Sequence, residues 1–178
     1  MPIQIVLLRG INLGPSNRVA MPALRELLSG AGMRDVRTYV QSGNVVLDSD
    51  ASDDELAREC EALIATEFGL DIPVVVRTRD ELAKVVARDP LGDVATDPKR
   101  YLVSFLSSAL EPATIEKLTA LAAPEERFVA VGRELYGWHP AGVARSKLWG
   151  RLAGKGLGVT ATARNWTTVT TLLAMADE

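Results

Sequence analysis

The chain reads as an α+β protein, with an N-terminal ferredoxin-like β-α-β-β-α-β subdomain followed by a second, smaller α+β subdomain. Three features predict this. Short apolar runs of strand length alternate with longer segments whose apolar residues recur at helical spacing. Over residues 1–78 these follow the order β-α-β-β-α-β, which two right-handed crossovers turn into an antiparallel four-stranded sheet with both helices on one face. A stretch from Pro90 to Lys99 holds two prolines, a glycine and two aspartates, which marks a boundary between segments 1–89 and 100–178.

The elements follow in order. Ile3–Arg9 is a continuous apolar run and reads as a central strand. Gly10–Ala20 is a loop of eleven residues. It exceeds the roughly 2–6 residues usual between a strand and a helix, and long loops are often functional. Pro22 suits a first helical turn, Leu24, Leu27 and Leu28 share a face, and Gly30 and Gly32 stop the helix. Val36–Val40 and Val45–Asp48 read as strands joined by the tight Gln41-Ser42-Gly43-Asn44 connection. Ser52-Asp53-Asp54-Glu55 is a capping box for a helix that ends before Gly69, and Pro73–Arg77 is the next strand.

Thr78-Arg79-Asp80-Glu81 is a second capping box, and its helix must end before Pro90. Tyr101–Leu106 is a strand, and a helix follows over Pro112–Ala122. Arg127–Val131 and Glu134–Trp138 form a hairpin across Gly132-Arg133. A helix over Val143–Ala153, a flexible Gly154–Gly158 and a last helix over Ala163–Met175 complete the chain. The second half thus reads β-α-β-β-α-α, an echo of the first without a residue-level repeat.

Composition narrows the function classes. Hydrophobic residues make up 47% of the 178 and charged residues 24%, close to globular averages. No apolar run approaches the roughly 18 residues of a membrane span. The Met1-Pro2-Ile3-Gln4 start lacks the features of a secretory signal. Cys60 and His139 are the single cysteine and histidine, which excludes an internal disulfide and a cysteine- or histidine-built metal site. A reducing cytoplasm fits this usage. The net charge of −3 argues against a general nucleic-acid coat. The charge is uneven: residues 1–47 carry five bases against two acids, 48–134 ten against nineteen, and 135–178 five against two. If the two basic ends meet, they form a region that attracts anions.

Three strings carry candidate chemistry. Arg9-Gly10-Ile11-Asn12-Leu13-Gly14 opens from a buried strand into the long loop, with Asn17 and Arg18 adding donors before a helix N-terminus. Gln41-Ser42-Gly43-Asn44 could orient a ligand or be plain turn chemistry. Ala163-Arg164-Asn165-Trp166 places an arginine where it would oppose a helix dipole, so a bound anion or a structural carboxylate is required, and Trp166 could stack on a ring or close a small core. Gly150–Gly156 lacks the spacing of a P-loop, and Gly154–Gly158 follows a helix where a dinucleotide fingerprint would follow a strand. A Ser-His-Asp triad would have to use His139 and is set aside.

At Leu8-Arg9-Gly10-Ile11-Asn12-Leu13-Gly14, Asn17-Arg18, Tyr39-Val40-Gln41-Ser42-Gly43-Asn44-Val45 and Arg164-Asn165-Trp166-Thr167-Thr168-Val169 the chain resembles an uncharacterised bacterial family, domain of unknown function 1697. Ser146-Lys147-Leu148 also resembles its pattern, whereas Leu47 stands near a position the family usually fills with an aromatic. The resemblance implies a two-part α+β fold and no particular activity. It groups Arg9, Asn12, Gln41, Asn44, Arg164 and Asn165 as polar members of strings that otherwise look like core.

The expectation is a small anionic, phosphorylated or nucleotide-like ligand at the junction of the N-terminal loop and the C-terminal helix start. Arg9 and Arg164 would contact it, Asn12, Asn17, Arg18, Gln41, Asn44 and Asn165 would surround and orient it, and Lys147 would join them. No cofactor, metal or catalytic residue is assigned, and any turnover would rest on electrostatic stabilisation. Two alternatives stand beside it. One is a structural or interaction module without a ligand. The other is single-stranded RNA binding on the sheet face, which wants exposed aromatics on central strands.

Overall fold

A computed structural model describes residues 2–152 and 157–178. It is mixed α+β, with two four-stranded antiparallel sheets, and it divides into two compact units. One comprises Met1–Lys84 with Thr171–Glu178, the other Val85–Thr170. Among the described residues no helix is long and apolar enough to cross a membrane.

In the first unit the strands β1 (Ile3–Leu8), β2 (Arg34–Tyr39), β3 (Asn44–Asp48) and β4 (Val74–Thr78) lie in the order β2-β3-β1-β4. Helix α1 (Met21–Gly30) joins β1 to β2, α2 (Asp53–Phe68) joins β3 to β4, and α3 (Arg79–Arg88) follows β4. The apolar strand runs explain the sheet: Val6 and Leu8, Val45 and Leu47, and Val74 and Val76 are spaced two apart and enter one core. Helical positions Leu24 and Leu28 from α1 and Leu56, Cys60 and Ile64 from α2 close over them. Leu47 is fully buried there. The helix boundaries follow their caps. Ser52 Oγ accepts from Glu55 N, and Gly69 ends α2 at φ 67°.

In the second unit β5 (Tyr101–Leu106), β6 (Arg127–Val131), β7 (Glu134–Trp138) and β8 (Ala161–Asn165) lie in the order β6-β7-β5-β8, again antiparallel. The helices are α4 (Pro112–Leu121), α5 (Lys147–Leu152) and α6 (Trp166–Ala176). Leu106, Leu118, Leu135, Leu148, Leu152, Leu157 and Ala161 form its core, with Phe128 and Ala130 packed against it.

Two expectations need correction. The helix expected from Val143 begins at Lys147, because Ser146 N closes a turn onto Val143 O and Ser146 Oγ accepts from Trp149 N at 3.0 Å, the geometry of an N-cap. The last helix begins three residues after Ala163, because residues 161–165 pair with β5 as strand β8. Local propensity in this alanine- and threonine-rich stretch permits either state, and the sheet edge decides it. Asn165 then caps α6, its Oδ1 accepting from Thr168 N at 2.9 Å. The glycine-rich stretch expected to be flexible falls in part, at 154–156, outside the described residues.

With β8 in place, the two sheets share strand order, and they also share a local device. Arg77 precedes the α3 cap Thr78, and Arg164 precedes the α6 cap Asn165. Both arginines are buried, and each donates from Nη1 to the carbonyl of the residue before it, Val76 at 3.0 Å and Ala163 at 2.9 Å.

Turn glycines show how tightly the first unit is built. Gly43 sits at φ 81°, and a Cβ there would lie 2.7 Å from Leu8 Cβ and 3.0 Å from Ile11 Cδ1. Gly132, at φ 56° in the β6–β7 hairpin, faces open space. Gly132→Ala is therefore expected to cost about 1 kcal/mol, the left-handed strain alone. Gly43→Ala adds a backbone-level clash and is expected to cost about 3 kcal/mol or more. Urea denaturation of the two variants checks the order, and equal losses would contradict it.

Candidate functional site

The first unit brings several of the expected residues together around one amide. Asn12, in the left-handed region at φ 56°, donates from Nδ2 to Val19 O at 2.8 Å and to Gln41 O at 2.7 Å. Its Oδ1 accepts from Val19 N at 2.9 Å, and its own N–H reaches Asn17 O at 3.1 Å. Every hydrogen-bonding group of the amide is used, so the Gly10–Ala20 loop is closed on itself and tied to the β2–β3 turn. Asparagine suits this because its short polar side chain tolerates positive φ. Ile11 and Val19 anchor the loop from inside the core.

The turn is equally constrained. Val40 has φ 51°, an uncommon state for a β-branched residue, and Gly43 follows in the same region. Asn44 is fully buried and donates to Tyr39 O at 3.1 Å and Ser42 Oγ at 3.0 Å. Asn12 and Asn44 are thus structural clamps within the expected site.

The exposed members differ. Gln41 lends its carbonyl to Asn12 while the residue faces solvent. Asn17 and Arg18 are exposed on the loop, and Arg9 is half-buried at its entrance. Among the described residues neither the Arg9 nor the Arg18 side chain makes a hydrogen bond or ion pair, in contrast to Arg34, Arg37 and Arg79, which pair with aspartates. The loop leads into α1, which has no side-chain cap and no acidic residue in its first turn. Helix α2 has both, and α3 has Thr78 and Glu81 exchanging capping bonds. The positive end of α1 therefore remains uncompensated beside Arg18.

Lys147, Arg164 and Asn165 belong to the second unit. Lys147 is exposed at the start of α5. Arg164 lies inside β8, not at a helix start, so the dipole argument for a bound anion no longer applies. Its Nη1 donates to Thr162 Oγ1 at 2.7 Å, and desolvation pushes its pKa down to about 10, still charged at neutral pH. Trp166 stacks on Tyr101 with centroids 4.6 Å apart, so it closes a small core.

Single-stranded RNA binding wants exposed aromatics on the central strands. Ile5, Leu7, Val46 and Val75, on the face of the sheet away from its helical core, are buried as well.

Sequence reasoning missed a polar cluster in the second unit. Glu126 Oε2 lies 2.5 Å from His139 Nδ1 and accepts from Ser146 Oγ at 2.6 Å, while its Oε1 accepts from Ala123 N at 2.9 Å. A catalytic triad needs the imidazole between serine and acid. Here the acid is in the middle, and His139 Nε2 is buried without a hydrogen-bond partner. A cavity of ≈ 440 Å³ opens beside Glu126 and Ser146, bordered by Glu125 and Arg145. The cluster pins the 139–146 segment to the connection between α4 and β6. The signals in the sequence were a lone histidine and a Ser-Lys pair, with no spacing to link them. Among the described residues no group of His, Cys, Asp or Glu is placed to hold a metal ion.

These features define a two-unit α+β protein carrying a clamped polar loop. The chain belongs to the family described as protein of unknown function DUF1697, whose model matches residues 1–136. That range includes the loop and turn strings and stops short of Ser146-Lys147-Leu148 and Arg164–Val169. Over 98% of its length the chain is similar to a solved structure, the conserved bacterial protein SP0830 from Streptococcus pneumoniae, at 21% identity, 98% coverage of that chain and a TM-score of 0.79. At this identity the likeness is one of fold. No curated protein matches the chain.

Two outcomes follow. Asn12→Ala is expected to lower stability by about 2–3 kcal/mol, at roughly 1 kcal/mol per lost side-chain hydrogen bond, and Asn12→Asp should recover only part because it cannot donate. Denaturant titration reads both, and a neutral Asn12→Ala would contradict the clamp. For Glu126, burial works to raise its pKa, but hydrogen bonds from Ala123, Ser146 and His139 outweigh this and hold it below the ordinary 4.5. A depressed folded pKa means a stabilising contribution present above the unfolded value and lost as pH falls through the folded one. Glu126→Gln should therefore flatten the loss of stability below pH 4.5, and an unchanged acid limb would count against it.

Proposed function

We propose that the first unit binds a small anionic, phosphorylated ligand on the surface formed by the Gly10–Ala20 loop and the start of α1. The observation that carries this reading is the pair of guanidiniums, Arg9 and Arg18, which among the described residues make no hydrogen bond or ion pair, at and on a loop that Asn12 ties to Val19 and to the turn at Gln41. A rigid fork of donors on a pre-ordered loop loses little entropy on binding. The N-terminus of α1, with no side-chain cap, would add partial positive charge in the same stretch, although Pro22 contributes no N–H there and Leu24 N is bonded to Ala20 O. Asn17 and Gln41, both exposed, would orient the ligand. No nucleophile or general base stands among these residues, so the reading is a binding site first.

The strand order β2-β3-β1-β4, with helices after β1 and β3, supports placing this site on a ferredoxin-like unit, and β6-β7-β5-β8 supports the same reading for the second. The long β1–α1 connection would then be the functional loop grafted onto a common scaffold.

Inorganic pyrophosphate is the simplest probe. At a concentration about 100 times its dissociation constant it should stabilise the protein by about 2.7 kcal/mol, read as a rise in melting temperature. An Arg9→Ala/Arg18→Ala double variant should fold normally and lose the response. No rise with pyrophosphate or nucleoside triphosphate, or an equal rise in the double variant, would overturn the proposal.

A further inference from the structure

The second unit buries a carboxylate beside a cavity. Glu126 is 8% exposed and lies in the connection between α4 and β6. Among the described residues its carboxylate has three partners: Ala123 N on Oε1, and His139 Nδ1 and Ser146 Oγ on Oε2. The imidazole is the one group of the three able to carry positive charge. Its Nε2 is buried without a hydrogen-bond partner and sits against Gly137, where an added Cβ would lie 2.8 Å away. An imidazolium would leave that second N–H buried and unsatisfied, so the neutral ring donating from Nδ1 fits these surroundings. Arg127, the next residue, donates from Nη1 to the carbonyls of Pro124 and Glu126 and not to the carboxylate. A buried carboxylate without a counter-charge is costly. It also has room for one more donor, since a carboxylate accepts about four hydrogen bonds and these partners supply three.

Glu126 lines the cavity of ≈ 440 Å³, a size within the roughly 300–1,000 Å³ of small-molecule sites. Ala123, Ala141, Gly142 and Ala144 form other walls, and their small side chains leave the space open. Two more charges border it, Glu125 and Arg145, both on exposed residues. Among the described residues neither side chain makes a hydrogen bond or ion pair, although the two are opposite in sign and line one cavity. The cavity thus presents two carboxylates and one guanidinium, each with hydrogen-bonding capacity unfilled.

We propose that this cavity binds a basic amino acid, with its two cationic groups on Glu126 and Glu125 and its carboxylate on Arg145. The charges match one for one. A simple amine would leave Arg145 unanswered, a neutral amino acid would leave one carboxylate bare, and an anion would meet two like charges. Arg145 offers a planar fork that suits a carboxylate. Ser146 has a positioning role: its Oγ donates to Glu126 and accepts from Trp149 N, which fixes the carboxylate at the cavity wall. This site belongs to the second unit and is independent of the phosphate surface proposed for the first.

A titration of the full chain with L-lysine, followed through the imidazole resonances of His139, tests this. His139 is the single histidine, and its Nδ1 rests on Glu126, so an ammonium reaching the same carboxylate should shift its signals saturably. Cadaverine, which is lysine without the carboxylate, should bind about threefold more weakly, the scale of an exposed ion pair. Arg145→Ala should weaken L-lysine by the same factor and leave cadaverine unchanged. Glu125→Gln should weaken both. Glu126→Gln breaks a buried charge pair and should lose at least about thirtyfold. The Glu125 and Arg145 variants alter exposed side chains, so they keep the test decisive if Glu126→Gln disturbs the segment it holds. Failure of L-lysine to bind saturably overturns the proposal. So does an affinity that neither Glu125→Gln nor Arg145→Ala reduces, or cadaverine bound as tightly as L-lysine by the wild type.

Discussion

The side chain of Asn12 spends both its N–H groups on the carbonyls of Val19 and Gln41 and its oxygen on the amide of Val19. This gives an eleven-residue loop rich in glycine, asparagine, serine and proline a defined course, and it fastens that loop to the turn after β2. Without it, the loop-closure entropy of the segment would oppose any fixed placement of Arg9 and Arg18. The clamp has a cost, because Asn12, Asn17, Val40 and Gly43 all occupy the left-handed region. Strain of this kind persists where the surroundings over-determine it. Here they do so through the buried Ile11, Val19 and Asn44.

The two units solve the same structural problem with shared parts. Each has an antiparallel sheet of one strand order, and each carries near the end of its last strand a buried arginine followed by a helix-capping residue. They differ at the β1–α1 connection and at the outer strand. The first unit has the long clamped loop and a register shift in β2 between Arg34 and Arg37, whereas β6 of the second unit pairs with β7 in unbroken register. Differences laid on a common scaffold are where distinct roles are expected to reside.

Much of the architecture was legible because periodicity is a strong signal: β5, β6 and β7 were read to the residue, and both capping boxes opened the helices they announced. β8 was not legible. Ala-Thr-Ala-Arg-Asn has no run of apolar residues, and its strand state comes from pairing with β5 across more than fifty residues of chain. The sheet partner is a long-range fact that local propensity does not encode. At the site, the strings that singled out Asn12 and Asn44 were informative about structure: both side chains hold the loop and the turn through hydrogen bonds to backbone, a role that spacing alone does not distinguish from contact with a ligand. The Glu126–His139–Ser146 cluster escaped notice because its members are thirteen and seven residues apart with no shared motif.

The most direct measurement of the central claim is a phosphate titration followed by backbone amide resonances of the full chain. A pre-ordered anion site predicts saturable shifts confined to the loop from Gly10 to Ala20 and the first turn of α1, with the remaining amides still. Shifts scattered over surface lysines and arginines, or none in the loop at saturating phosphate, would contradict it.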